Sequence, residues 1–214
     1  MPTERLVPTP QGEARIVQRR ARSPIATLVL THGAGGGIDA PDLVQLAGAL
    51  PQQDVSVHLV EMPWRVQGKR LAPAPPVIDA CYRAVLSSLR QRTPLVLGGR
   101  SAGARSACRI GRDVGAQGVL ALSFPLHPPG RPEKSRLEEL VGAGVPTLVV
   151  QGERDPFGTP GEFPDGLDLA VVPAGDHSLR VPRSAGVSQA DALAVVLEAT
   201  LEWVVREVVG NRTG

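Results

Sequence analysis

The sequence predicts an α/β fold, in which a mostly parallel central sheet carries helices on both faces and no large cap domain is inserted. Short apolar runs alternate along the chain with longer amphipathic runs, which is the pattern of βα units. A length of 214 residues with 42% hydrophobic residues is enough for one sizeable core. We therefore expect a single domain over residues 1–214, with the polar, proline-containing residues 1–13 as a flexible N-terminal segment.

The predicted strands are short runs rich in Val, Leu and Ala, and the predicted helices have apolar residues every three or four positions. The first helix, for example, begins at Asp39 or Pro41, because Leu43, Leu46 and Leu50 keep helical spacing. The predicted strands cover residues 14–18, 25–31, 55–60, 95–98, 119–124, 147–151 and 169–172. The later helices cover residues 77–92, 102–113, 135–143 and 190–208. A proline-rich connection at 62–76 is long enough to cover a site, whereas the loop at 125–134 is too short for a cap domain.

Composition argues against several classes of function. The net charge of +2 is too weak to indicate a nucleic-acid partner. The chain has neither the apolar core of a signal peptide near its N-terminus nor a run of membrane-spanning length, so we expect a cytoplasmic protein that does not contact membranes. One basic cluster has no aromatic or Gly-rich partner, and an exposed edge strand or loop explains it more economically than a phosphate-binding patch. That cluster comprises Arg15, Arg19, Arg20 and Arg22.

The cysteines do not indicate a disulfide framework or a nucleophile. Cys81 and Cys108 both lie in predicted helices and have no His or acid context nearby in the sequence. We expect both to be buried, reduced thiols.

The most informative motif is the segment 99–103, Gly-Arg-Ser-Ala-Gly, which follows an apolar run and precedes a helix-compatible segment. This is the sequence form of a nucleophile elbow, a tight turn between a strand and a helix that exposes one serine. The motif alone is weak evidence, and its context strengthens it. Ser101 is therefore the candidate nucleophile.

An acid and a histidine follow Ser101 in the order that such a site needs. Asp155 lies just after the strand predicted at 147–151, with Glu153 as the less favoured acid, although an Asp before Pro is also a common turn residue. His177 follows the last predicted strand and is the candidate base, with Asp155 to orient it. The other histidines fit the role less well. They are His32 in the Gly-rich loop, His58 inside a strand and His127 ahead of the acid.

A Gly-rich loop at 32–37 follows the strand predicted at 25–31. Acyl transfer needs two backbone N–H donors for the oxyanion. We expect them from Ala102 and from this loop, with Ala34 favoured over Gly35. A phosphate-cradling loop is the rival interpretation, but no Lys-Ser/Thr follows and Gly-x-Gly-x-x-Gly is not met.

Two further residues are open to two interpretations. Arg100, beside the nucleophile, and Trp64, in the proline-rich connection, could line the substrate site together with Gly35. A buried arginine with a carboxylate partner and a packing tryptophan explain them equally well. If Arg100 faces the site, an acidic acyl or leaving group is favoured.

These motifs resemble the α/β-hydrolase fold, and within it the small, lidless branch related to dienelactone hydrolases. The motifs at 98–105, 32–37 and 175–179 are similar to bacterial relatives of the testis-expressed protein 30 family. That family also includes the hydrolase-like domain of the third subunit of the NSL histone acetyltransferase complex. The segments 61–64 and 68–70 share the similarity, which spans roughly residues 25–205.

The resemblance implies a catalytic triad at Ser101, Asp155 and His177 but no particular substrate. Dienelactone hydrolases generally use cysteine as the nucleophile, so the serine argues against that activity here. We expect a cofactor-free, metal-free serine esterase or thioesterase that acts on a small acyl substrate, as a monomer or homodimer. The alternative is a non-catalytic binding or scaffold protein that retains the hydrolase fold.

Overall fold

An eight-stranded, mostly parallel sheet forms the centre of the protein in a computed structural model that describes residues 2–210. The strand order is β1-β2-β4-β3-β5-β6-β7-β8, in which β1 and β2 are antiparallel to their neighbours and all other pairs are parallel. The strands are β1 Thr3–Thr9, β2 Gly12–Arg19, β3 Ala26–Thr31, β4 Val55–Glu61, β5 Leu95–Arg100, β6 Gly118–Leu122, β7 Thr147–Gly152 and β8 Asp168–Val172.

Helices cover both faces of this sheet, as the sequence predicts. One face packs against α1 and α6, and the other packs against α3, α4 and α5. Strands covered on both faces are apolar throughout, which explains why all six residues of β3 are buried. The helices are α1 Pro41–Ala49, α2 Pro63–Val66, α3 Pro75–Ser87, α4 Ala102–Ile110, α5 Leu137–Val141 and α6 Gln189–Trp203, the last continuing as a π-helix over Val204–Val209.

The N-terminal segment departs from the sequence prediction. Instead of an irregular segment, residues 3–13 contain the strand Thr3–Thr9, β1, which pairs in register with β2 from Thr3↔Gln18 to Thr9↔Gly12. Val7 is the only fully buried residue of β1, so the strand lacks the apolar alternation that would have revealed it. The edge strand is therefore β1, and the basic cluster begins on β2, one strand further in.

Proline explains two other differences. The connection at 62–76 contains α2, and α3 begins at Pro75 rather than at residue 77, because proline is favoured in the first turn of a helix.

The loop between β6 and α5 contains one short 3₁₀ turn, Pro132–Lys134, and no inserted cap domain. Within residues 2–210, no helix is both long and apolar enough to cross a bilayer.

Both cysteines are buried and free, which confirms the prediction of buried thiols. Burial raises the pKa of the Cys108 thiol to about 12, so it is a poor nucleophile at neutral pH.

Candidate active site

Ser101 lies in a tight turn between β5 and α4, at the carboxyl end of the parallel strands. Its backbone has φ 52° and ψ −110°, a conformation that non-glycine residues rarely adopt and that costs on the order of 1–3 kcal/mol. A Cβ atom on Gly99 would lie 2.8 Å from the carbonyl oxygen of Thr31, and one on Gly103 would lie 2.8 Å from that of His32. Glycine at both positions therefore lets the turn pack directly against the exit of β3.

The structure brings the three residues predicted to carry the chemistry into one hydrogen-bonded chain. Nε2 of His177 lies 2.9 Å from Oγ of Ser101, and Nδ1 of His177 lies 2.7 Å from Oδ2 of Asp155. Because a carboxylate only accepts, Nδ1 carries the ring proton and Nε2 accepts from the serine hydroxyl. This arrangement is suited to removing the hydroxyl proton during nucleophilic attack.

The carboxylate of Asp155 is fully buried at the end of β7 and held by several donors. The side-chain amide of Gln151 donates to its Oδ2 at 2.9 Å, and the backbone N–H of Phe157 donates to its Oδ1 at 2.8 Å. Glu153, the other candidate acid, instead accepts from the backbone N–H of Ala174 at 2.6 Å and so stabilises the loop that carries His177. Of the two acids, Asp155 is the one that contacts the imidazole.

Two contacts outside this chain also hold the imidazole and its loop. The ring of Phe157 stacks on that of His177, with centroids 4.1 Å apart and an interplanar angle of 29°. Arg100 donates from Nη2 to the carbonyl oxygen of His177 at 2.7 Å, and its Nε lies 3.2 Å from Oδ2 of Asp42. The sequence gives no signal for the roles of Phe157 and Asp42, because both contacts depend on tertiary packing.

Arg100 thus has a buried carboxylate partner and also reaches the cleft wall, which combines both interpretations of this residue. Burial raises the pKa of Asp42, and the positive charge of Arg100 acts in the opposite direction.

The Gly-rich loop is held from its inner side by His32 and Trp64. Nε2 of His32 accepts from the backbone N–H of Met62 at 3.0 Å, so Nδ1 donates to the carbonyl oxygen of Gly33 at 2.7 Å. Trp64 Nε1 donates to the carbonyl oxygen of Ala34 at 3.3 Å. Burial lowers the pKa of His32, which favours the neutral ring that these two bonds require.

These hydrogen bonds orient the backbone N–H of Ala34 away from His32. In a trans peptide the C=O and N–H point in opposite directions, so the N–H of Ala34 points away from the histidine that holds Gly33. A Cβ atom on Gly33 would lie 3.3 Å from Cβ of Ser101, which shows how closely the loop approaches the serine. Ala102 is the first residue of α4, and its N–H has no acceptor within that helix.

Trp64 does not line the cleft, contrary to the interpretation that it borders the substrate. It is only 4% exposed and contacts His32 edge to face, with ring centroids 5.2 Å apart. The short helix α2 carries it behind the Gly-rich loop, where it is a packing residue.

The cleft above Ser101 has a volume of about 570 Å³. Ala34 and Gly35 lie on its wall with the rest of the loop at 33–37, and Phe157 is its only aromatic residue. Asp39 and Arg180 add opposite charges, whereas no residue of the connection at 62–76 lines the cleft. Within residues 2–210, no three His, Cys, Asp or Glu side chains are grouped as metal ligands would be.

Residues 24–205, most of the chain, match the model of the alpha/beta hydrolase domain family. The chain belongs to the α/β-hydrolase family. Solved structures agree in fold. A lidless α/β serine hydrolase from Xanthomonas campestris has a TM-score of 0.71 at 16% identity, with 94% of each chain covered.

Two further structures extend the fold comparison. A dienelactone hydrolase from Anabaena variabilis has a TM-score of 0.70 at 17% identity, covering 96% of this chain and 98% of its own. Est1E from Butyrivibrio proteoclasticus, with ferulic acid bound, has a TM-score of 0.71 at 15% identity, covering 95% and 99%. Because the sequence identities are this low, these three structures show that the fold of this α/β-hydrolase is similar to theirs and show nothing about its substrate.

Of the three histidines that fit the role of base less well, His127 and His58 contact other groups in this α/β-hydrolase, as His32 does. Nε2 of His127 lies 2.8 Å from Oε2 of Glu162, and Nδ1 lies 2.9 Å from the carbonyl oxygen of Pro128, which is the larger cause of its raised pKa. His58 lies in β4, beside Gln18 of β2. Neither lines the cleft above Ser101.

Proposed function

We propose that the protein is a serine hydrolase that cleaves a small ester or thioester through an acyl-enzyme on Ser101. The observation that supports this most directly is the continuous chain from Ser101 Oγ through His177 to Asp155, with separations of 2.9 and 2.7 Å. A serine hydroxyl is a weak nucleophile at neutral pH and needs an adjacent base, which needs an orienting acid in turn.

In the first half of the proposed reaction, Nε2 of His177 takes the hydroxyl proton as Ser101 Oγ bonds to the acyl carbon. The resulting oxyanion accepts hydrogen bonds from the N–H groups of Ala34 and Ala102. The imidazolium then gives its proton to the departing alcohol or thiol as the bond to the leaving group breaks. Asp155 stays ionised and stabilises the imidazolium.

In the second half, water replaces the leaving group. His177 removes a proton from water, the hydroxide attacks the acyl carbon, and the proton returns to Ser101 Oγ as the carboxylic acid leaves. The chain's own residues supply every group for these steps, so the proposal needs no cofactor.

The cleft favours a small, polar acyl substrate over a long aliphatic one. A loop of glycines and alanine forms one wall, and Phe157 offers the only aromatic surface. Arg180 lies at the same cleft and can pair with an anionic group on the acyl or leaving part. We further propose that this is a cytoplasmic member of the testis-expressed protein 30-like branch, acting as a monomer or homodimer without nucleic-acid or membrane partners.

Labelling with a fluorophosphonate tests the proposal, with intact mass as the readout. Native protein should gain one adduct, and Ser101→Ala should gain none. Ser178→Ala is the matched control, because Ser178 lines the same cleft and its hydroxyl makes no hydrogen bond to Ser101, His177 or Asp155, and it should label like the native protein. Absence of an adduct on folded native protein would favour the non-catalytic alternative. If the native protein is labelled, kinetics of the unlabelled protein on acetyl and butyryl esters and thioesters would follow.

A further inference from the structure

A second cleft lies at the opposite end of the sheet from Ser101 and has a volume of about 530 Å³. Its floor is formed where β3 and β4 begin and β2 ends, and its rim is the loop between α3 and β5. The floor consists of polar side chains, each less than a tenth exposed, which is unusual for the end of a buried sheet. These residues are Gln18, Thr27, Ser56 and His58.

The charge of this cleft is strongly one-sided. Four arginines line it and no aspartate or glutamate does, although the whole chain has 23 basic and 21 acidic residues. Among residues 2–210, none of the four forms an ion pair with a carboxylate. The four are Arg5, Arg20, Arg90 and Arg92.

Two of these arginines are held in place by neutral groups. Arg5 donates from Nη2 to the carbonyl oxygen of Ser88 at 3.1 Å and to its hydroxyl at 3.0 Å. Arg20 donates from Nη2 to Oε1 of Gln18 at 3.2 Å. The guanidinium groups are therefore positioned while their charges stay uncompensated.

The buried hydroxyls add further donors. Oγ of Ser56 accepts from the backbone N–H of Ala21 at 3.0 Å, which leaves its own proton free to donate. The hydroxyls of Thr27 and Thr93 are 2.7 Å apart, so one donates to the other and the second keeps a proton for another acceptor. The cleft thus presents donors and positive charge, the complement of a group that only accepts.

The environment of His58 is consistent with the excess of positive charge in this cleft. Burial, together with the positive charges of Arg20 and Arg5, lowers the pKa of His58 to about 4. The pKa of the His58 ring therefore depends on the charge in the cleft.

We propose that this cleft is a binding site for a small anion carrying more than one phosphate group. Guanidinium groups match phosphate oxygens through paired hydrogen bonds, and hydroxyl donors on the floor can complete the coordination. The sequence favours an exposed edge strand or loop as the explanation for Arg20, and the structure places this residue beside Arg5, Arg90 and Arg92 around a concavity. The site is separate from the proposed hydrolase chemistry.

Two observations favour a small anion over a nucleic acid. The basic groups surround a concave volume instead of following an extended groove. No Phe, Tyr or Trp side chain lines the cleft and the imidazole of His58 is only 7% exposed, so the cleft offers little aromatic surface on which bases could stack.

The test is titration of native protein with inorganic pyrophosphate, followed by calorimetry and by the ring resonances of His58. The chain has four histidines, so His58→Gln suffices to assign the signal. Arg5→Gln/Arg20→Gln removes two charges from the cleft, and Arg19→Gln/Arg22→Gln removes two charges outside its lining. The two double variants have equal net charge. Comparing them therefore distinguishes binding in the cleft from nonspecific electrostatic attraction of the anion to the protein.

We expect pyrophosphate to shift the His58 signals, raise the pKa of this ring and bind more tightly than inorganic phosphate. The cleft double variant should bind at least about tenfold more weakly, whereas the control variant should stay close to native. An unshifted His58, or equal weakening by both double variants, would overturn the proposal. A single-stranded oligonucleotide that binds more tightly with increasing length and displaces pyrophosphate would replace the small anion with nucleic acid.

Discussion

Arg100 donates a hydrogen bond to the carbonyl oxygen of His177 across 2.7 Å, so the residue next to Ser101 also holds the loop that carries the imidazole. The same guanidinium lies 3.2 Å from Oδ2 of Asp42, a carboxylate that is 1% exposed. One side chain therefore connects α1, the end of β5 and the loop after β8, which are three elements around the cleft.

Replacing Arg100 by methionine should affect both stability and turnover. The free energy of unfolding should fall by about 3–5 kcal/mol, because Asp42 would be left buried without a partner. The kcat of ester hydrolysis should also fall, with a smaller change in KM, because the His177 loop loses its anchor. Urea unfolding and steady-state kinetics measure the two effects.

The double variant Arg100→Met/Asp42→Asn separates these effects. It removes the unpaired carboxylate, so part of the lost stability should return, while kcat should stay low. If kcat recovers together with stability, Arg100 acts on the reaction only through the fold, and its positioning role is contradicted.

Asp155→Asn should lower kcat by about 10³–10⁴-fold, because an amide can favour the wrong tautomer of His177 and does not stabilise the imidazolium. Glu153→Gln is the matched control, since Glu153 contacts the Ala174 N–H and not the imidazole. We expect the control to keep kcat within about tenfold of native, because the amide oxygen of glutamine can still accept from the Ala174 N–H and at most one hydrogen bond is weakened or lost. Equal losses in the two variants would contradict the assignment of Asp155.

Trp64→Phe should reduce kcat by about 2- to 10-fold, because it removes one neutral hydrogen bond to the Ala34 carbonyl and retains most of the ring. This is much less than the roughly 10²–10³-fold loss expected when a direct oxyanion donor is removed. KM should change little, since Trp64 lies behind the loop. Steady-state kinetics of the variant and the native protein on one ester measure kcat and KM. A raised KM with unchanged kcat would indicate that Trp64 contributes to substrate binding instead.

The sequence was sufficient to predict the parallel sheet and the approach of Ser101, Asp155 and His177. Each of these residues follows a short apolar run within a few residues, and the carboxyl ends of parallel strands meet at one edge of the sheet. Chain order and strand position were therefore enough to bring the three together without knowledge of packing.

The supporting contacts could not be predicted in this way. Phe157 stacks on His177, and Asp42 pairs with Arg100, from elements that are distant in sequence or separated by an irregular loop. No periodicity encodes such contacts. The strand Thr3–Thr9 was missed for a different reason, because an edge strand with one buried residue has almost no apolar pattern.

Gly103→Ala should destabilise the fold by about 1–3 kcal/mol or more, although alanine normally stabilises a helix. The new Cβ would lie 2.8 Å from the backbone oxygen of His32 and 2.7 Å from Cγ2 of Thr31. Gly36→Ala is the control, because no atom lies within 4 Å of its added Cβ. Urea unfolding of both variants tests whether the backbone at position 103 lies this close to Thr31 and His32. Equal free energies of unfolding for the two variants would contradict this close packing.

The stability of the protein should fall on mild acidification, in part through His58. The pKa of His58 is about 4 in the folded protein, below the usual value of 6.5, so the unfolded chain binds the proton first. The stability that depends on neutral His58 is therefore present above pH 6.5 and is lost progressively as the pH falls towards 4. Between pH 7 and pH 5 this loss amounts to about 2 kcal/mol.

Urea unfolding at these two pH values, without multivalent anions, should show a smaller loss for His58→Gln than for native protein. His32, whose pKa is also lowered, remains in both proteins, so its contribution cancels in the comparison. Pyrophosphate in the arginine-lined cleft should reduce the loss in native protein, because its negative charge favours protonation of the folded ring. Identical losses in the two proteins would mean that His58 is not held neutral by its surroundings.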